Sequence, residues 1–211
     1  MMRARDYLGA GAASAWFGLS IFESAKALLA LPDNRTNVLV GAFYAANIIV
    51  LALMIIFLAL RRAPVRLPTG GWPRLSGFLG LISPLAIAFV PISRPGPAAA
   101  VISATLMLAG AVLSIWTMLH LRRAFAILPQ ARVLVATGPY SYVRHPLYLS
   151  ELITVAGVTI NHVQPIASFV FLIVLLAQLP RLLWEERILG EAFPAYRDYA
   201  QQTARFIPFI Y

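Results

Sequence analysis

The chain of 211 residues contains no cysteine and few charged residues. Without cysteine it can form no disulfide, no thiolate metal site and no cysteine nucleophile. Charged residues make up 12% of the chain and apolar types 60%, whereas soluble domains carry about 25% and about 45–50%. A soluble fold of this length could not bury so much apolar surface, so we expect the surplus to face lipid. The composition therefore excludes a soluble enzyme and a disordered chain.

Acidic residues and lysine are scarce as well. Eight acids oppose 17 basic residues, of which only Lys26 is a lysine, and the net charge is +9. The arginines gather in short segments between apolar runs, notably 61–74 and 120–146, which contain no acid. This clustering is typical of the cytoplasmic loops of membrane proteins rather than of a nucleic-acid surface. We expect a membrane-lipid environment and no nucleic-acid partner.

Long apolar runs predict an all-α integral membrane protein. A transmembrane helix needs about 20 apolar residues, and four runs each fit one crossing. These runs are Tyr7–Leu31, Asn37–Leu60, Leu75–Ser93 and Pro95–Leu119.

The fifth run, Leu147–Pro180, is too long for one simple crossing. A polar break interrupts it just before Pro165, and a proline disfavours helix at the residue that precedes it. We therefore predict a C-terminal helical hairpin of Pro146–Ile160 and Pro165–Glu186, which gives five to six membrane helices in all.

Beyond the hairpin, apolar side chains recur at helical spacing and predict an amphipathic helix over 189–203 that lies on the membrane. With the N-terminus inside, every arginine-rich loop and the C-terminal tail fall on the cytoplasmic face. We expect N-terminal transmembrane helices over 1–119 and a functional core over 120–211, with its pocket on the cytoplasmic side.

The segment around Pro146 carries the first group of candidate functional residues. Pro146 suits the first position of a helix, whose N-terminus attracts anions, and Arg144 and His145 lie directly before it. Tyr148 and Glu151 follow His145 at a spacing of three, so the three side chains can line one side of a cleft. Alternatively, Arg144 and His145 are interfacial anchors and the tyrosines form an aromatic belt.

The second group lies where the hairpin ends. Arg181 and Glu185 are four residues apart and can pair on one helix face. Glu186 has no obvious partner on its own face, and an unpaired carboxylate near apolar surface is costly. We expect it to favour a cationic or hydroxyl-bearing ligand.

Two sequence patterns in these groups resemble a known superfamily. They read Gly138-Pro-Tyr-x-Tyr-Val-Arg-His-Pro-x-Tyr148 and Glu185-Glu186-x-x-Leu189-x-x-x-Phe193-x-x-Tyr196-x-x-Tyr199, followed by Arg205-x-x-Pro208. The combination is similar to the isoprenylcysteine carboxyl methyltransferase and phospholipid N-methyltransferase superfamily, over about 120–211. The resemblance implies an integral-membrane methyltransferase that uses S-adenosylmethionine, releases S-adenosylhomocysteine and acts on a lipophilic acceptor.

The resemblance also implies no metal site, and it implies which residues bind the cofactor. They are Gly138, Pro139, Tyr140, Arg144, His145, Pro146, Tyr148, Glu185 and Glu186. The helix N-terminus and His145 suit the methionine carboxylate, and a glutamate suits the amino group or the ribose hydroxyls. As catalytic candidates, Arg144 or Arg205 could position an acceptor carboxylate, such as that of a prenylcysteine-like substrate. Glu151 or Glu185 could instead accept the proton of an amine, such as a lipid headgroup.

The sequence departs from the family pattern at two positions. Arg122 replaces the glycine of a common Leu-Gly-Arg-x-Phe element, so the backbone there is expected to be less free. Ser150 stands where many members have glycine and is expected to narrow the cleft slightly.

A non-catalytic membrane protein, such as a small transporter or a helper subunit, is the alternative function class. A transporter would carry polar or broken helices near the middle of the membrane. The predicted helices before residue 120 have few polar residues, which favours the enzyme.

Overall fold

The computed structural model describes residues 2–32, 35–82, 90, 95–162 and 164–206. Over these ranges the regular structure is helical, which confirms the predicted all-α class. The helices are α1 (Met2–Leu29), α2 (Arg35–Leu60), α3 (Trp72–Ile82), α4 (Pro97–Leu121), α5 (Pro146–His162), α6 (Pro165–Ala192) and α7 (Tyr196–Gln202). Two 3-10 turns, Arg122–Ala124 and Gly138–Ser141, lie between α4 and α5.

Within the described ranges, three helical stretches are long and apolar enough to cross a membrane: Asn37–Leu60, Pro97–Ala124 and Pro165–Ala192. They agree with the predicted second and fourth spans and with the second arm of the hairpin. The first predicted span forms α1, whose sequence carries charged residues near both ends. Most of the predicted third span, Leu75–Ser93, lies outside the described residues.

The predicted hairpin is formed by α5 and α6, which pack against each other. Gln164 has the extended conformation (φ −114°, ψ 137°) that a following proline favours. With 17 residues, α5 is about 25 Å long at 1.5 Å per residue, which is shorter than the apolar core of a bilayer at about 30 Å. The hairpin returns the chain to the end of the bundle where α4 finishes and α5 begins.

The single amphipathic helix predicted over 189–203 is wrong in extent. Helix α6 continues to Ala192, the chain is non-helical over 193–195, and α7 begins at Tyr196. Phe193 is extended (φ −129°, ψ 108°) because Pro194 follows it.

Small residues set the packing of α4 against α5. The Ser103 hydroxyl donates to the Gly157 carbonyl at 2.8 Å, and the Ser114 hydroxyl donates to the Ser150 hydroxyl at 2.8 Å. A Cβ atom at Gly110 would overlap Thr154 Oγ1. The two backbones can approach so closely only because side chains are absent or small at these positions. This contact fixes α5, and with it the segment that begins at Pro146.

We expect Gly157→Ala to lower the free energy of unfolding by about 1–3 kcal/mol, as overpacked substitutions do. The added Cβ would lie 2.8 Å from Ser103 O and from Met107 Cγ. Thermal unfolding in detergent measures the loss. Gly18→Ala in α1 is the matched control, because no heavy atom lies within 4 Å of its Cβ position. Equal losses in both variants would contradict the packing argument.

Candidate functional site

The loop that leads into α5 is shaped by Gly138. Its φ of +63° lies in the left-handed region that favours glycine. A Cβ atom there would also overlap the His120 ring, which holds its Nδ1 atom 2.9 Å from the Trp116 carbonyl. Gly138 therefore allows the loop to lie directly against the end of α4.

Backbone hydrogen bonds join this loop to the C-terminal tail. The Arg144 N–H donates to the Ala204 carbonyl at 2.7 Å, and the His145 N–H donates to the Arg205 carbonyl at 3.2 Å. Val143 and Ala204 form an isolated parallel bridge. Helix α5 begins directly afterwards, because the Leu149 N–H already donates to the His145 carbonyl. The loop and the tail thus meet at one end of the bundle, as the sequence predicts.

Glu186 lies at the centre of an ion cluster, with a side chain that is 12% exposed. His145 Nε2 lies 3.2 Å from its Oε1 atom, and Arg144 approaches the same oxygen at 3.3 Å. Arg205 donates to both carboxylate oxygens at 3.1–3.2 Å. The expectation of an unpartnered Glu186 is therefore wrong, because its partners come from the loop and the tail rather than from its own helix.

Glu185 hydrogen bonds to Tyr148 and not to Arg181, its predicted helix partner. The Tyr148 hydroxyl donates to Glu185 Oε2 at 2.5 Å. Arg181 instead donates to the Ile127 carbonyl at 3.0 Å and lies 4.0 Å from Glu151. Its guanidinium also stacks over the Tyr148 ring at 4.7 Å.

These side chains surround a common cavity of about 50 Å³. Its polar lining consists of Gln130, Tyr140, Arg144, His145, Tyr148, Glu151, Arg181 and Glu185. The segment after α4 supplies an apolar wall from Leu121 to Leu128, and Leu147 completes it. The loop before α5 and the end of α6 therefore face one space.

Not every predicted site residue lines the cavity. Gly138 and Pro139 belong to the 3-10 turn of the loop, and Pro146 is the first residue of α5. Glu186 and Arg205 form the ion cluster behind the lining. Their positions favour a structural contribution to the site.

Sequence reasoning missed Arg181 and the wall segment 124–130 as parts of the cavity. An arginine inside a transmembrane helix is itself a signal of a functional site. The four-residue spacing suggested that Arg181 pairs with Glu185, and for that reason Arg181 was not predicted to line a cavity. The wall segment carries no comparable signal, because its residues are mostly small or apolar.

Ser150 does not narrow the cavity. Its side chain is fully buried against α4, where it accepts the Ser114 hydrogen bond and donates to the Leu147 carbonyl at 2.7 Å. The expected effect of this departure from the family pattern is therefore wrong, since the serine points to the helix interface.

Two tyrosines outside the membrane helices support the loop. The Tyr199 hydroxyl donates to the Tyr140 carbonyl at 2.8 Å. Burial raises the pKa of Tyr199 to about 12 and raises the pKa of Tyr140 well above its usual value. Both hydroxyls therefore stay neutral at the pH of a cell.

A solved structure of another protein has a fold similar to that of this chain. The structure of a eukaryotic intramembrane Ras methyltransferase, isoprenylcysteine carboxyl methyltransferase, matches 93% of this chain and 75% of its own, with a TM-score of 0.52 and 20% identity. At that identity the match shows a shared fold.

Sequence similarity indicates the class of protein more closely than the shared fold does. A family model described as phospholipid methyltransferase matches residues 98–196, which confirms the predicted resemblance. The match begins within α4, earlier than the predicted 120, and ends at Tyr196.

Two curated relatives are also similar to this chain. They are the cobalt-zinc-cadmium resistance protein CzcN of Cupriavidus metallidurans and the nickel-cobalt-cadmium resistance protein NccN of Alcaligenes xylosoxydans xylosoxydans, each 34% identical over 76 residues. The aligned part is 36% of this chain and spans only 35% and 36% of those relatives.

We expect Glu186→Gln to lower the free energy of unfolding by about 3 kcal/mol, because it leaves the partly buried guanidinium groups of Arg144 and Arg205 without their counter-charge. Thermal unfolding and limited proteolysis of the tail measure the effect. Glu191→Gln is the control, since its 38% exposed side chain pairs with the exposed arginines Arg66 and Arg187, and solvent screens such pairs so that they contribute little to stability. Similar losses in the two variants would contradict the central position of Glu186.

Arg122 has φ 45° and ψ −119°, a conformation suited to glycine. Such strain costs about 1–3 kcal/mol, and glycine entropy in the unfolded chain costs about 0.5–1 kcal/mol. We therefore expect Arg122→Gly to raise the stability by about 1 kcal/mol, measured by thermal unfolding. Arg123→Gly, at a position without positive φ, should lower it. A loss in both variants would rule out relief of strain.

Proposed function

We propose that this protein is an integral-membrane methyltransferase that moves a methyl group from S-adenosylmethionine to a lipophilic acceptor. The observation that carries the proposal is the single cavity that the loop before α5 and the end of α6 line together. The phospholipid methyltransferase family match covers most of this region. We propose residues 120–211 as the methyltransferase core and 1–119 as its membrane helices.

The cavity lining suits the polar groups of this cofactor. Arg144 and Arg181 each have a buried Nε atom without a hydrogen-bond partner, so both retain a donor for an anionic group. The N-terminus of α5 adds a favourable field for a carboxylate. Glu185 has one hydrogen bond, from Tyr148, and can accept another from an ammonium or a hydroxyl group.

The cavity must widen before it can hold a nucleoside. Its 50 Å³ is room for one or two waters, each of which occupies about 30 Å³ in the liquid, whereas small-molecule sites measure roughly 300–1,000 Å³. Arg181 ties the wall segment to α6 through the Ile127 carbonyl. We propose that binding breaks this hydrogen bond and displaces residues 124–130.

Methyl transfer needs alignment and exclusion of water more than it needs a strong acid. When bound, S-adenosylmethionine supplies a methyl carbon that its sulfonium makes electrophilic. The apolar wall and Leu147 would keep water from this carbon. Arg144 would hold a carboxylate acceptor, and Glu186, which is itself held by Arg205, would orient Arg144.

An amine acceptor would use different residues of the same cavity. Glu151 lines the cavity and lies 4.0 Å from Arg181, so it can take a proton from an entering ammonium. Glu185 is the second candidate for that proton. We propose a prenylcysteine-like carboxylate or a lipid headgroup as the acceptor, reached from the bilayer, with the site on the cytoplasmic face because the arginine-rich loops lie at the same end.

We expect the purified protein to bind S-adenosylhomocysteine and Glu185→Gln to weaken this binding by tenfold or more. Hydrogen bonds to charged groups contribute about 1.5–3 kcal/mol, which corresponds to such a loss. Isothermal titration calorimetry measures the affinity. Glutamine can still accept from Tyr148, so the fold should survive. Arg197→Gln, on the exposed surface of α7, is the control, and unchanged affinity in Glu185→Gln would refute the assignment.

Incubation with methyl-labelled cofactor and a total lipid extract tests the transfer itself. A label that base treatment releases as methanol identifies a methyl ester and hence a carboxylate acceptor. A base-stable label indicates an amine or a lipophilic thiol as the acceptor, and the mass of the labelled product distinguishes the two. Absence of label from every lipid fraction, with the cofactor bound, would favour the non-catalytic alternative.

A further inference from the structure

The loops that follow α2 and α4 lie side by side at the end of the bundle. We call residues 61–66 and 122–132 the basic ribbon. The Arg62 N–H donates to the Arg123 carbonyl at 2.9 Å, and an antiparallel bridge joins Arg66 to Ala131. Buried Arg132 donates to the Arg62 carbonyl from beneath. Backbone hydrogen bonds therefore join the two segments of the ribbon at Arg123 and at Ala131, on either side of the wall segment 124–130. The exposed side chains of Arg62 and Arg123 take no part in these bonds.

The exposed surface of the basic ribbon is strongly cationic. Four of its arginines are exposed: Arg62, Arg66, Arg122 and Arg123. Glu191 pairs with Arg66 at 2.9 Å and shares its carboxylate with Arg187. Among the described residues, no carboxylate lies within 4.0 Å of the other three exposed arginines. Their charge is available to an external anion.

Exposed apolar side chains lie within the basic ribbon and in the helices that precede and follow its first segment along the chain. Val65, within the ribbon, is 65% exposed, and Leu60, the last residue of α2, is 51% exposed. Trp72, at the start of α3, is 72% exposed, and tryptophan is typical of the membrane–water boundary. A soluble anion gains nothing from such neighbours. A phospholipid, by contrast, presents a phosphate directly above acyl chains.

We propose that the outer surface of the basic ribbon binds the phosphate of an anionic phospholipid, and that Arg62 and Arg123 make the main contacts. Their backbones are hydrogen bonded to each other, so the two long side chains start from adjacent positions and can reach one shared phosphate. Each arginine near an anionic lipid surface contributes roughly a fivefold gain in affinity. Neither Arg62 nor Arg123 lines the cavity, and the lipid site requires neither the cofactor nor the acceptor.

Native mass spectrometry of the full chain in detergent tests the proposal. The protein is titrated with phosphatidylglycerol and with phosphatidylcholine of the same acyl chains. We expect the first phosphatidylglycerol to bind tenfold or more tightly than phosphatidylcholine. Arg62→Gln and Arg123→Gln should each reduce this preference about fivefold, and the double variant should abolish it. Arg197→Gln removes one exposed charge elsewhere and should keep it.

Several results would overturn the proposal. They are equal affinity of the wild type for both lipids, a preference that survives in the double variant, and a preference that Arg197→Gln also abolishes. Displacement of the lipid by excess inorganic phosphate would show a site for free anions instead. Thermal unfolding of each variant verifies that it is folded. Because no methyl transfer is measured, failure here is separate from failure of the proposed function.

Discussion

The candidate site depends on one carboxylate, that of Glu186. Glu186 lies near the end of α6, and side chains from two other segments converge on its carboxylate. Arg144 and His145 come from the loop, and Arg205 comes from the tail. Removing such groups from water is costly, and the cost is offset only when every partner is in place. The ion cluster therefore fixes how loop, helix and tail are placed around the cavity, because only one arrangement of these segments brings all its charged groups together.

Composition and the positions of the prolines were sufficient to predict the helical framework. Apolar runs predicted the spans that the structure contains, and Pro165 predicted the turn between α5 and α6. The break before α7 was equally local, since Pro194 disfavours helix at Phe193. There the helical spacing of the aromatic residues outweighed a single proline in our prediction. Local signals thus determine most of the fold, provided that the prolines are given their full weight.

The site could be predicted less completely, for a physical reason. The resemblance brought the loop and the residues near Glu185 together correctly. The partners of Glu186 lie 19 and 41 residues away, and spacing along one helix cannot reveal them. Likewise, the direction of Ser150 follows from how closely α4 and α5 pack. Contacts between distant segments determined what each charged group does, and a single sequence does not contain them.

The short bridge between Val143 and Ala204 has a consequence for how the protein is made. Two N–H groups of the loop, those of Arg144 and His145, bond to carbonyls of residues 204 and 205. A ribosome produces those carbonyls about 60 residues after the loop, when α5 and most of α6 are already available for insertion. During synthesis the N–H groups of Arg144 and His145 therefore remain without their native partners until residues 204 and 205 have been made. The site is therefore complete only after both α5 and α6 have been synthesised.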